Sequence, residues 1–171
     1  IDRDGVTFID IGVRGLELAE LSPDGLTAFL FSPRFTEKRG VLIQDLNDGS
    51  DLQTVGFEKS IRGATSDSSG QAFVVFHTRK ELPIEAGTSP ADPEYIARSW
   101  AVSLLDVKAG LSRLILTAEA PGEFTVYDDG ARGVLFLSFE GAFNRDILVG
   151  DLRSFATDSF VVATKPDGLG P

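Results

Sequence analysis

The chain has 171 residues, 42% of them hydrophobic and 25% charged, ordinary globular usage that excludes a disordered segment or a fibrous repeat and makes one core-forming domain the expectation. Acidic groups outnumber basic ones 26 to 16, and the formal net charge of -10 repels phosphate backbones, which excludes nucleic acid as a partner class. Cysteine is absent, which removes disulfides, thiolate catalysis and Cys-ligated metal sites, and the longest apolar runs are strand-sized, far short of the roughly 18 residues of a membrane span.

With no Met and with Ile1 in first place, the chain is expected to continue upstream, where any targeting signal would lie. Val6-Thr7-Phe8-Ile9-Asp10-Ile11 is the first strand-like run. Ser22-Pro23-Asp24-Gly25 then has turn chemistry throughout, Pro fixing φ and Gly free to take positive φ, and it leads into the apolar run Leu26 to Phe31. The next strand, Val41 to Leu46, ends at Asp45 between aliphatic residues. Both landmarks return twice. Ser66-Asp67-Ser68-Ser69-Gly70 precedes Gln71 to Phe76, with Asp106 following in Val102 to Val107; Tyr127-Asp128-Asp129-Gly130 precedes Ala131 to Phe139, with Asp151 following in Ile147 to Leu152. Gly25, Gly70 and Gly130 are therefore equivalent positions. Gly25 to Asp45 spans 20 residues and Gly130 to Asp151 spans 21, whereas Gly70 to Asp106 spans 36, longer by one inserted loop.

A repeat of about 45 residues with four strand-length segments and no helical period has the size and content of a propeller blade. The strands are expected at Leu16 to Leu21, Leu26 to Phe31, Val41 to Leu46 and Leu52 to Phe57; at Ser60 to Thr65, Gln71 to His77, Ser99 to Val107 and Leu111 to Thr117; and at Gly122 to Tyr127, Ala131 to Ser138, Asp146 to Leu152 and Ser159 to Ala163. The second strand of each unit is apolar at nearly every position, so both its faces must be covered, as stacked blades would do. The expected fold is an all-β partial β-propeller: residues 1–15 ending a preceding blade, blades at 16–57, 58–117 (with a long insertion at 77–98) and 118–164, and residues 165–171 starting a following blade or forming a tail. Closed propellers need about four to eight blades, so the open blade faces call for further blades of the same chain or for a homo-oligomer.

Ser22-Pro23-Asp24-Gly25, an apolar strand, and a strand ending Ile43-Gln44-Asp45-Leu46 before Asp48-Gly49 resemble the propeller repeats of the YVTN and WD40-like class of bacterial envelope and secreted proteins. The third unit and the closing Pro166-Asp167-Gly168-Leu169-Gly170 are similar to uncharacterised myxobacterial propeller proteins. No unit carries a Trp-Asp pair, and the second and third turns lack the Pro. The resemblance implies structural roles for the motif residues, a periplasmic, outer-membrane-associated or secreted location, and use as a binding platform.

Function must be argued from a site rather than from the fold. The longest irregular stretch, His77 to Arg98, is the candidate, since loops well beyond about 15 residues usually bind something or are disordered. Arg79, Lys80, Tyr95 and Arg98 are its candidate binding residues, set against the plainer reading of a mobile excursion or one packed on a neighbouring blade. Trp100, just past it, is expected in the core. His77 is the sole histidine, which excludes a two-His metal site and is expected to be a hydrogen-bonded structural residue. Asp2-Arg3-Asp4-Gly5 and Asp128-Asp129-Gly130 place oxygen ligands near a Gly turn but lack the full calcium-loop pattern, so ordinary turns are expected there. No Gly-x-Ser-x-Gly elbow or glycine-rich phosphate loop occurs. The expectation is thus a non-enzymatic binding or scaffold module with no cofactor and no metal, part of a larger extracytoplasmic propeller whose loops contact protein or carbohydrate. The alternative is a fragment of a propeller enzyme, quinoprotein-like or lyase, with its active site completed by absent blades.

Overall fold

The computed structural model of the chain describes residues 8–34, 38–117, 120–128, 133–139, 146–151 and 160–164, with side chains as far as residue 121. Three four-stranded antiparallel sheets follow one another along it. The first is β1 (Leu18–Leu21), β2 (Ala28–Phe31), β3 (Arg39–Ile43) and β4 (Gln53–Gly56); the second is β5 (Ile61–Ser66), β6 (Ala72–His77), β7 (Trp100–Asp106) and β8 (Leu111–Thr117). The third is β9 (Pro121–Asp128), β10 (Gly133–Phe139), β11 (Asp146–Asp151) and β12 (Phe160–Thr164). Each is a plain meander in which chain neighbours pair. All twelve fall on the expected strands, with ends displaced by at most three residues.

The recurring landmarks are turns with the same hydrogen bonds. In the β1–β2 turn, Ser22 N donates to Thr27 O (2.9 Å), Gly25 N to Ser22 O (2.9 Å) and Thr27 N to Ser22 Oγ (2.9 Å). In the β5–β6 turn, Asp67 takes the place of Ser22: its N donates to Ala72 O (3.0 Å), Gly70 N to its O (3.2 Å) and Ala72 N to its Oδ1 (3.1 Å). Gly25 and Gly70 hold φ of 70° and 66°, the left-handed conformation for which glycine is suited. Asp45 and Asp106 likewise open matching turns, accepting at the main-chain carbonyl from Gly49 N (2.8 Å) and Gly110 N (2.9 Å). Gly130 lies outside the described residues.

Alternation along the strands sends residues to opposite faces. Phe29, Phe31, Leu42 and Val55 of the first sheet, with Phe57 just past β4, face Ile61, Phe73, Val75 and Leu105 of the second, with Val107 just past β7, in one buried cluster. Phe29 is its hub, with ring centroids 5.6 Å from Phe31, 5.9 Å from Phe57 and 5.8 Å from Phe73. Gly40 lies flat under that ring, so close that a Cβ there would fall 2.1 Å from a Phe29 ring carbon. The first strands β1 and β5 touch, as do the last strands β4 and β8, and β7 meets β9 of the third sheet, whose Pro121 carbonyl accepts from Arg62 at 3.5 Å. The first two sheets therefore stand face to face as blades, with the third adjoining the second, in a partial β-propeller.

The other face of the first sheet, Ala28, Val41 and Ile43, is covered by Ile11, Val13 and Leu16. Residues 8–17 form no strand in the described chain. Gly12 and Gly15, at φ of 64° and 84°, and the bond from Gly12 N to Asp10 Oδ1 (2.9 Å) turn the backbone there instead of extending it. Val6 and Thr7 of the expected strand, Asp2-Arg3-Asp4-Gly5, Asp129 with Gly130, and the terminal 165–171 lie outside the described residues.

Candidate functional site

The loops of the first two blades converge at the end of the sheets opposite the Gly turns: Lys38 before β3, the link Phe57 to Ser60 between β4 and β5, and the insertion between β6 and β7. The insertion is ordered around one short helix, α1 (Pro93–Arg98). Asp92 caps it, its Oδ1 accepting from Glu94 N at 2.8 Å, Pro supplies the first helical position, and Ser99 N closes the other end on Ile96 O and Tyr95 O.

Lys59 pins this helix to the blade link. Its Nζ donates to Ile96 O (2.5 Å) and Ala97 O (3.2 Å), carbonyls that a helix leaves unsatisfied at its negatively polarised C-terminus. The residue is only 3% exposed, and no described carboxylate pairs with it. Burial, and then the neighbouring charge of Lys38, holds its amine down to about 8. A further main-chain bond, Lys80 N to Ala97 O (2.9 Å), ties the start of the insertion to its helix.

Two cavities flank α1. The first, of about 270 Å³, is lined by Lys38, Glu58, Lys59, Arg79, Lys80 and Glu94 among others; the second, of about 230 Å³, by Tyr95, Arg98, Glu85 and Asp92 among others. Of the four sequence-derived residues, Arg79 and Lys80 thus border one cavity, and Tyr95 and Arg98 the other. Glu94 joins the two sides: Lys80 Nζ lies 3.0 Å from Oε1, and Arg98 Nε 3.3 Å from Oε2. The hydrogen bond and charge of Lys80, more than those of Arg98, hold the Glu94 carboxyl below its usual range. Arg98 also donates to Pro83 O at 2.8 Å. Arg79 stacks its guanidinium 4.3 Å above the ring of Trp100, which is half-buried beside the insertion rather than enclosed in the core.

His77 stands beneath this site, 1% exposed, with Nδ1 3.2 Å from Ser60 O and Nε2 2.7 Å from Ser103 Oγ. Burial pushes its pKa down to about 4, so the ring is neutral at pH 7 and both nitrogens are engaged within the fold. Among the described residues no group of three or more His, Asp or Glu side chains is arranged to hold a metal ion, and no helix is long and apolar enough to cross a membrane. Lys59, Lys38 and Glu58 escape the sequence reading, since they gather only when the insertion folds over the blade link. The helix had a legible signal in Asp92-Pro93-Glu94, an N-cap followed by Pro and an acidic first turn.

No known protein family and no curated protein matches the chain. Among solved structures it is similar to the acylaminoacyl peptidase of Pyrococcus horikoshii in its orthorhombic crystal form, at 12% identity and a TM-score of 0.50 over 88% of this chain and 24% of that one. It is similar also to hydrazine synthase of Kuenenia stuttgartiensis (13% identity, TM-score 0.49, 86% of this chain and 41% of that one) and to TolB of Acinetobacter baumannii (20%, 0.37, 71% and 29%). The chain spans less than half the length of each. At 12% identity the likeness to the peptidase is one of fold alone.

Proposed function

We propose that the chain is a non-enzymatic binding module, a portion of a larger extracytoplasmic β-propeller protein of the YVTN and WD40-like class, and that a protein partner docks on the end formed by the insertion. The observation that carries this reading is the docked insertion itself. A long excursion held by a buried Lys59 and capped at both helix ends presents two small cavities on a rigid base, and binding residues are favoured on loops positioned by such a scaffold. At about 270 and 230 Å³ the cavities are smaller than the roughly 300–1,000 Å³ pockets that enclose whole small ligands, and so suit anchoring side chains. A carbohydrate partner is less well served, because the Trp100 ring already carries Arg79 and Tyr95 is half-buried. The burial of His77, with both nitrogens bonded inside the fold, supports a non-catalytic role.

The test is capture of solubilised envelope proteins on the immobilised chain and its variants. Lys80→Ala and Tyr95→Ala are expected to lose a protein that the native chain retains, whereas Lys108→Ala, at the opposite end of the blades, keeps it. Equal retention by all three variants would remove the insertion as the docking end.

A further inference from the structure

In a chain with 26 acidic and 16 basic residues, the cavity beside α1 reverses the overall charge: Lys38, Lys59, Arg79 and Lys80 line it against Glu58 and Glu94. Glu94 is already engaged by Lys80 and Arg98, and Arg79 lies over Trp100. Lys59 is the incomplete member. An ammonium has three N–H donors, of which two go to the carbonyls of Ile96 and Ala97, leaving one for the cavity that the residue lines. A charge withdrawn from water without a counter-charge is costly, and an incoming anion relieves that cost. On the protein partner of the binding-module reading, the anion at hand is the side-chain carboxylate of Asp or Glu, and Glu58 and Glu94 on the same lining disfavour an anion of higher charge.

We infer that this cavity is a carboxylate subsite, taking the acidic side chain of a protein partner between Lys59 and Lys38. The inference rests on the binding-module reading and gives the chemistry of the anchor. The lowered pKa of Lys59 agrees with the geometry, since it marks an ammonium short of a counter-charge.

Trp100 is the sole tryptophan and stacks with a lining residue, so its emission reports on the cavity. The 171-residue chain is titrated at constant ionic strength with acetate, with a capped tripeptide bearing a central Glu, with inorganic phosphate and with chloride. Acetate and the peptide are expected to give a saturable change that chloride does not. Lys59→Met should weaken it about tenfold, as befits one charge-assisted hydrogen bond. Lys38→Gln, at an exposed position, should weaken it several-fold and serves if Lys59→Met does not fold. A response no different from chloride, saturation untouched by either variant, or phosphate binding ahead of acetate overturns the carboxylate subsite. If the partner is still captured through Lys80 and Tyr95 while acetate shows no saturable response, the subsite falls and the binding module stands; if neither occurs, both fall.

Discussion

His77 shows how one residue sets a pH limit on this fold. It sits between the link carbonyl of Ser60 and the hydroxyl of Ser103, with the Phe57 ring 5.7 Å away, in a place where an imidazolium would be charged and dry. Its pKa of about 4 in the fold lies below the ordinary 6.5, so the unfolded chain binds the proton first as pH falls. The contribution is intact above about pH 6.5 and is lost progressively between there and 4, amounting to about 3 kcal/mol at the acid end. Urea unfolding at pH 7 and at pH 4.5 should show native stability falling more steeply than in His77→Gln; parallel losses in the two proteins would refute this. The structural role of His77 was legible, since a lone histidine at the end of an apolar strand has no partner for metal or acid–base work. The burial of Lys59 was not legible, because nothing in Phe57-Glu58-Lys59-Ser60 announces that a helix some 35 residues later will close over it. Gly40 is hidden in a similar way: its need for a missing Cβ arises from the Phe29 ring on the paired strand.

At the scale of elements, the turns define the repeat. Ser22 and Asp67 lie 45 positions apart and perform the same task, which is why Gly and Asp spacing located the strands while the identity of the first turn residue was free to change. Asp67 is the stronger of the two, accepting from Gln71 N (2.9 Å) and Ala72 N (3.1 Å) at Oδ1 and from Ser69 Oγ (2.6 Å) at Oδ2, fully buried. Asp67→Ala strips the buried Ala72 N of its side-chain acceptor and leaves Gln71 N only its longer bond to Ser69 Oγ (3.4 Å), and is expected to cost roughly 2–4 kcal/mol, against about 1 kcal/mol for Asp67→Ser, which restores the arrangement of the first turn. Chemical denaturation of the two variants reads the difference, and equal losses would show that the carboxylate is not what holds the turn. The helix α1 is the element the periodicity missed. Six residues make fewer than two turns and carry no buried residue, so there is no apolar stripe for a periodic reading to find. Its stability comes from caps and from Lys59, which are contacts rather than patterns.

At the scale of the molecule, stacking on the second sheet leaves the first with an apolar face that this contact does not cover, and the sequence calls for further blades or another copy there. For the first sheet the chain supplies cover of its own: Ile11, Val13 and Leu16 pack against Ala28, Val41 and Ile43, which are 2%, 0% and 3% exposed. The two glycines that stop this segment from pairing as a strand also let it fold flat across the face, and Ile9 reaches the turn at Gly49, where a Cβ would meet its side chain at 2.7 Å. A strap of this kind buries the apolar face under the chain's own side chains, so it suppresses the face-to-face association that an exposed apolar patch invites. A chain beginning at Glu17 loses the strap and keeps every strand of the first sheet. Light scattering at matched concentration should show that it associates more than the intact chain, and thermal unfolding should begin at lower temperature. Unchanged mass and unchanged unfolding in the shortened chain would mean that the segment only rests on the sheet, and that the apolar face is held by something other than its own N-terminal residues.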